Sequence, residues 1–257
     1  MNFFKRFLLE LQNITILVGR SAARIFSRPR YYRETLEQMD IIGVGSLTII
    51  LLTGFFTGGV LTLQTYPTLA QYGAQSQIGY LTAFSLIREL GPVLTALMVT
   101  GRVGSAISAE LGSMVVSQQI DAMRALGTDP IRKLVIPRIL ALLTMMPLLT
   151  VAADVLGLIG GAFVGNFLFA HPMSLYFSSV RQGITTEDVL GGVIKPLIFG
   201  LIIGAISCHK GLGTEGGTVG VGRSTTSAVV LASIIVILAD FFLARALQFV
   251  FGTPAGI

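Results

Sequence analysis

Charged side chains are scarce in this sequence. They make up 12% of the 257 residues, where a soluble domain usually has about 25%. None occurs between residues 41 and 87, a stretch far longer than the ~20 apolar residues that span the hydrocarbon core of a bilayer. This shortage excludes a soluble protein. It predicts one integral membrane domain, residues 1–257, with too little remaining chain for a soluble domain that buries its own core.

Cysteine and histidine are also rare. The single cysteine, Cys208, excludes an internal disulfide and lies in an apolar stretch, where packing explains it best. The two histidines, His171 and His209, are isolated, so no metal-ligand spacing occurs, and no serine lies in a G-x-S-x-G elbow. We therefore expect a chain that is not an enzyme and binds no metal. The basic residues behind the net charge of +5 flank apolar runs, which indicates membrane orientation and argues against nucleic-acid binding.

Five apolar runs are long enough to cross a membrane, and together they predict an all-α integral membrane protein. They are residues 41–63, 81–107, 139–169, 189–208 and 228–251. Seven lysines and arginines precede the first run, and none lies in residues 64–80. The bias alternates at every later crossing. The positive-inside rule therefore predicts a cytoplasmic N-terminus and a C-terminus on the outer side of the membrane.

The residues before the first run form an amphipathic helix and a linker. Apolar residues recur at helical spacing from residue 3 to residue 18, with polar residues on the other side. This pattern predicts a helix in the membrane interface, and packing of the same stripe on the spans is compatible with it. A basic, aromatic linker containing Pro29 follows. We thus divide the chain into a helix and linker, residues 1–40, and a five-span core, residues 41–251.

A glycine-rich segment precedes the last run. Residues 217–224, GTVGVGRS, have the spacing of a phosphate-cradling loop, with Arg223 in the lysine position. The segment joins two spans and lacks a nucleotide domain around it, so we interpret it as a flexible or tightly turning connection. Arg223 either anchors the last span at the cytoplasmic face or presents its guanidinium to a phosphate headgroup.

A short cytoplasmic helix is predicted at residues 117–127, between the second and third runs. Ser117 can cap its start and Gly127 can stop it. Its apolar residues fall at three-residue spacing: Ile120, Met123 and Leu126. Such a helix either rests in the headgroups or docks its stripe and charges on a soluble partner.

The second run contains two charges deep in a membrane span. Arg88 and Glu89 are neighbours, so they point about 100° apart and each needs its own partner or water. Pro92 removes a helical hydrogen bond and predicts a bend there. Arg102 lies on almost the same face as Arg88, with Thr95 between them, which predicts a polar cavity wall. A buried ion pair that fixes helix packing is the alternative.

Four motifs occur in order and resemble the MlaE family of permeases, the membrane subunits of ABC lipid transporters that work with Mce-domain proteins. They are R-E-L-G-P at 88–92, G-R-x-G-S at 101–105, A-E-L-G at 109–112 and A-L-G-T-D-P at 125–130. The resemblance covers nearly the whole chain. It implies an inner-membrane homodimer of five-span subunits that moves phospholipid between the inner membrane and a periplasmic Mce-domain carrier, in support of envelope lipid homeostasis.

The resemblance also implies partners and site residues. A separate cytoplasmic ATPase would bind ATP and Mg²⁺, and a small STAS-type subunit is a further partner of the family. The residues expected at the lipid cavity are Arg88, Glu89, Leu90 and Arg223. The helix at 117–127 corresponds to the coupling helix that enters the ATPase groove, with Gln119, Ile120, Asp121, Met123, Arg124 and Leu126 as its contacts. Many relatives have an acid before the Q-I-D triplet, whereas this chain has Gln118, which removes the basis for an ionic contact there.

Two other function classes fit the composition. An ATP-independent ion or solute carrier would use the intramembrane acids Glu89, Asp154 and Asp240 as a proton relay. A structural anchor for an ATPase or Mce complex would use the spans only to hold its partners. The carrier predicts transport driven by a pH gradient, and the anchor predicts that cavity charges matter only for stability.

Overall fold

The computed structural model describes residues 3–24 and 31–250, which are helical with short connections. Eight helices form this part of the chain: α1 (Phe3–Arg24), α2 (Tyr32–Gln71), α3 (Gln75–Val116), α4 (Gln119–Ala125), α5 (Ile131–Phe169), α6 (Met173–Gly183), α7 (Thr186–Leu212) and α8 (Gly217–Val250). Five of them are long and apolar enough to cross a membrane: α2, α3, α5, α7 and α8. The predicted all-α membrane fold with five spans is confirmed.

The start of the first span differs from the prediction. Helix α2 begins at Tyr32, so residues 32–40 are helical and the predicted linker is wrong over this stretch. The Thr35 hydroxyl and amide both donate to the Tyr31 carbonyl, at 2.9 and 3.1 Å, which secures the first turn. Glutamate, leucine, glutamine and methionine then continue the helix because all are good helix formers. Residues 25–30, including Pro29, lie outside the described residues.

The chain divides into two compact units, each built from three segments. Unit 1 consists of Met1–Gly45, Val99–Met145 and Phe199–Val236, and unit 2 of Ser46–Met98, Met146–Ile198 and Ile237–Ile257. In unit 1, ion pairs hold helix α1. Lys210 Nζ lies 2.9 Å from Glu10 Oε1, and Arg24 pairs with Asp129. Helix α1 is therefore fastened to the start of α5 and the end of α7.

Close helix packing in unit 2 depends on glycine. A Cβ atom added to Gly58 of α2 would overlap the carbonyl oxygen of Gly157 in α5, and one added to Gly54 would overlap the Ala153 carbonyl. The four-residue glycine spacing thus lets two helices of the same chain approach backbone to backbone. On another face of the unit, helix α6 packs on α3 and buries Tyr176 to 1% exposure.

Three turns of the spans are π-helical, at Leu86–Leu90, Thr100–Gly104 and Ile131–Val135. A π turn breaks the regular hydrogen-bond ladder, and such turns are frequent at functional sites. Each of these turns has a carbonyl that accepts a side-chain hydrogen bond: Arg88 from Lys195 at 2.8 Å, Gly101 from Ser105 at 2.5 Å, and Leu134 from Arg138 at 2.8 Å.

Candidate functional site: a charged cavity in unit 2

A buried lysine lies at the centre of the charges in unit 2. The side chain of Lys195, on α7, is only 2% exposed. Its ammonium lies 2.6 Å from Glu89 Oε2 and 3.0 Å from Asp240 Oδ1 of α8, and it donates to the Arg88 carbonyl. Two carboxylates and a carbonyl thus surround one ammonium group. This arrangement meets the requirement that a buried charge be paired and hydrogen-bonded.

Pro92 explains why the Arg88 carbonyl is available. Proline has no N–H, so a helical carbonyl one turn earlier loses its backbone donor, and here the Lys195 ammonium takes that place. The helix is irregular where the charges lie, which is where the sequence predicts a bend. The helix continues as a regular α-helix over Gly91–Val99, and the irregularity is the π turn Leu86–Leu90 just before it.

Arg88 has partners of its own. Its Nη1 lies 3.5 Å from Asp188 Oδ1, and its guanidinium carbon lies 4.9 Å from the centre of the Phe84 ring. Asp188 also accepts hydrogen bonds from the Thr185 amide at 2.9 Å and hydroxyl at 2.8 Å, while the Asp188 amide pairs back with that hydroxyl at 3.3 Å. This reciprocal capping box starts α7 and fixes Asp188 beside Arg88. As predicted, Arg88 and Glu89 find separate partners.

These charges line a cavity. Its wall consists of Arg88, Glu89, Glu187, Asp188, Gly191, Lys195, Ala244 and Leu247, around a small space that is partly open to solvent. The Glu89 side chain is 45% exposed, so one face of this residue reaches the cavity while an oxygen pairs with Lys195. The structure thus combines both alternatives left open by the sequence, because the same charges form ion pairs and line a cavity.

Other expected positions lie elsewhere. Leu90 is half-buried and is not part of the cavity wall. Thr95 is buried and borders a separate apolar crevice in unit 2, so the expected continuous polar stripe from Arg88 is wrong at this position. Arg223 belongs to unit 1, where it is exposed in a shallow groove along α8 with Gly222 and Thr226.

The predicted short helix between the second and third spans is present and is shorter than expected. It covers Gln119–Ala125 and follows Gln118, which has a positive φ of 58°. Ser117 does not cap it, because the Ser117 hydroxyl donates back to the Ser113 carbonyl at 2.8 Å. Gly127, with a φ of 75°, ends it as predicted, since a left-handed residue suits glycine.

The three apolar residues of the predicted stripe do not form one exposed surface. Ile120 is buried at 3% exposure, Met123 is half-buried and Leu126 is 83% exposed. Ile120 therefore packs on its own unit, so the prediction that it lies on an exposed docking surface is wrong. Gln119, Asp121 and Arg124 are exposed, and Arg124 pairs with Asp121 at 3.1 Å.

Sequence reasoning missed Lys195, Glu187, Asp188 and the role of Asp240. Lys195 carried the strongest available signal, since it is a lone ammonium inside a predicted span and intramembrane charges are functional candidates by default. Glu187 and Asp188 lie just outside the predicted span 189–208, in a stretch where hydropathy alone predicts a connection. Their proximity to Arg88 depends on contacts about a hundred residues apart, which no local pattern reveals.

Among the described residues, five helices are long and apolar enough to cross a membrane, and they define a multi-pass membrane protein. Residues 35–246 match the family described as Permease MlaE. The chain belongs to the MlaE permease family.

Individual relatives agree with this assignment. A probable ABC transporter permease protein of Rickettsia bellii is 42% identical over 219 residues, or 85% of each chain. The intermembrane phospholipid transport system permease protein MlaE of Haemophilus influenzae is 36% identical over 228 residues, or 88% of this chain and 85% of the relative. Protein TRIGALACTOSYLDIACYLGLYCEROL 1, chloroplastic, of Arabidopsis thaliana is 38% identical over 231 residues, or 90% of this chain and 66% of the relative.

Proposed function

We propose that this chain is the membrane subunit of an ATP-driven transporter that moves phospholipid between the bacterial inner membrane and a periplasmic Mce-domain carrier. The observation that supports this proposal most strongly is the charged cavity of unit 2, where Arg88 and Glu89 of an apolar span border open space. Charges are expensive in a membrane, so a cavity that keeps them suits a substrate with a polar head and apolar tails. The name of the Haemophilus influenzae relative supports a phospholipid as that substrate.

In this proposal Arg88 contacts the headgroup phosphate and Glu89 sets the charge of the cavity. The guanidinium keeps donors free for a phosphate because Asp188 engages it through one nitrogen at 3.5 Å. Leu90 provides apolar support beside them. Arg223, exposed on α8, contacts a second phosphate-bearing group at the cytoplasmic end of the last span.

Energy would come from a separate ABC ATPase that binds ATP and Mg²⁺, with the chain acting as a non-catalytic homodimer. The α4 helix is the proposed contact, through its exposed residues Gln119, Asp121, Arg124 and Leu126, while Met123 borders the contact and Ile120 holds α4 on its own unit. The charge bias of the connections supports a cytoplasmic α4, a cytoplasmic N-terminus and a periplasmic C-terminus. A small STAS-type subunit is a further proposed partner on the cytoplasmic side.

Co-purification tests this function. The full chain, extracted in mild detergent with its ATPase, should carry bound phospholipid detectable by mass spectrometry, and Leu126→Asp should release the ATPase. Leu36→Asp is the matched control, because Leu36 is also exposed, at 64%, and lies in α2, outside α4. Absence of both ATPase and lipid from the wild-type preparation would refute the proposal.

A further inference from the structure

The charges of the unit 2 cavity do not balance. Two basic side chains, Arg88 and Lys195, face three acidic ones in the wall: Glu89, Glu187 and Asp188. A fourth acid, Asp240, lies on Lys195. The cavity and its immediate partners therefore carry two more negative charges than positive ones.

Most of these charges are already engaged. Lys195 is shared between Glu89 and Asp240, at 2.6 and 3.0 Å. Asp188 divides its two oxygens between Arg88 and the start of α7. Glu187 is different, since it is exposed at the cavity and makes no ion pair with any residue of the described chain. The start of α7 is already capped by Thr185 and Asp188, so the Glu187 carboxylate is an additional acceptor.

The excess of negative charge in the cavity favours a ligand that brings a positive charge. A purely anionic headgroup would add negative charge to a cavity that already has an excess of it, whereas a zwitterionic headgroup brings a cation next to its phosphate. A primary ammonium offers three N–H donors to carboxylates, as a lysine does. A quaternary ammonium offers none and is typically held by aromatic faces, and no aromatic side chain is among the eight wall residues.

We propose that this cavity selects phospholipids whose headgroup carries a primary ammonium, of the ethanolamine type. The Glu187 carboxylate, together with the exposed face of Glu89, accepts from the ammonium, and Arg88 contacts the phosphate. This inference rests on the proposed function, because it assigns a headgroup to the lipid that the cavity takes.

A headgroup series tests the selection. The full chain in complex with its ATPase is equilibrated in nanodiscs with lipids of identical acyl chains and ethanolamine, N-methylethanolamine, N,N-dimethylethanolamine, choline or glycerol headgroups. The bound lipid is then measured by native mass spectrometry. The methylated series keeps the positive charge and removes N–H donors one at a time, so it separates hydrogen bonding from charge.

Wild type should prefer ethanolamine over glycerol headgroups by about threefold to tenfold, the range for one partly exposed charge-assisted hydrogen bond. Binding should fall stepwise along the methyl series. Glu187→Gln should bring the ethanolamine-to-glycerol ratio close to one, whereas Glu187→Asp should keep most of it. Glu215→Gln is the matched control, since Glu215 is exposed, belongs to unit 1 and is absent from the cavity wall.

The outcomes separate the two proposals. Equal binding of all headgroups, a preference for glycerol, or an unchanged ratio in Glu187→Gln would overturn the ethanolamine selection and leave phospholipid binding in place. Failure of every lipid to bind would overturn both the selection and the proposed function.

Discussion

Removal of the Lys195 ammonium should strongly destabilise the protein. Lys195→Met keeps the length of the side chain and its apolar stem, and it leaves Glu89 and Asp240 as neighbouring carboxylates without their shared cation. The Asp240 side chain is 19% exposed, so water replaces its lost cation poorly, whereas Glu89, at 45% exposure, can be solvated from the cavity. Breaking a buried ion pair by removing one member costs about 3 to 5 kcal/mol. We expect a loss near the lower end of that range in the free energy of unfolding, because only Asp240 is left largely buried without a cation.

The assay is reversible unfolding in mixed micelles, followed by far-UV circular dichroism because the chain contains no tryptophan. Lys210→Met is the matched control. Lys210 pairs with Glu10 through side chains that are 15% and 42% exposed, so its loss should cost about 1 kcal/mol or less. Adding Glu89→Gln and Asp240→Asn to Lys195→Met should recover most of the stability, since no unpaired charge then remains. A Lys195→Met protein within about 1 kcal/mol of wild type would refute this reasoning.

Three further changes test other contacts. Gly58→Ile should lower the unfolding free energy by about 1 to 3 kcal/mol, because its side chain collides with α5 backbone, and an unchanged value in the same assay would exclude the close contact. Asp129→Arg should weaken the attachment of α1 and increase its proteolysis, and adding Arg24→Asp should restore protection if their ion pair holds α1. Burial lowers the pKa of His171, so its imidazole resists protonation in the folded state more than in the unfolded state. The melting temperature should therefore fall as the pH drops below about 6.5, and His171→Phe should reduce this pH dependence.

The number and type of spans could be predicted from the sequence because hydropathy averages over about twenty residues and tolerates single charges. The ends of the spans were less predictable. Residues 32–40 are polar, so they fell outside an apolar run, although their helix-forming side chains extend α2 to Tyr32. Hydropathy identifies the part of a helix that is apolar enough to lie in the bilayer, and it does not identify the residues where the helix begins and ends.

The candidate site was only half predictable. Arg88 and Glu89 were found because two adjacent charges inside an apolar run are conspicuous. Their partners were missed because Asp188, Lys195 and Asp240 come from other helices, and pairing across a hundred residues leaves no local spacing. The π turn at Leu86–Leu90 was also hidden, since a local shift in the hydrogen-bond ladder does not alter composition.

An Arg88→Gln variant tests whether lipid passes through the unit 2 cavity under the control of a separate ATPase. The complex is reconstituted into liposomes with its ATPase and periplasmic carrier, and lipid transfer and ATP hydrolysis are measured side by side. We expect Arg88→Gln to retain ATP hydrolysis while ATP-dependent lipid transfer falls at least about tenfold, the effect of losing ~1.4 kcal/mol at the headgroup phosphate. Lipid transfer at the wild-type rate in a correctly folded Arg88→Gln complex would contradict it.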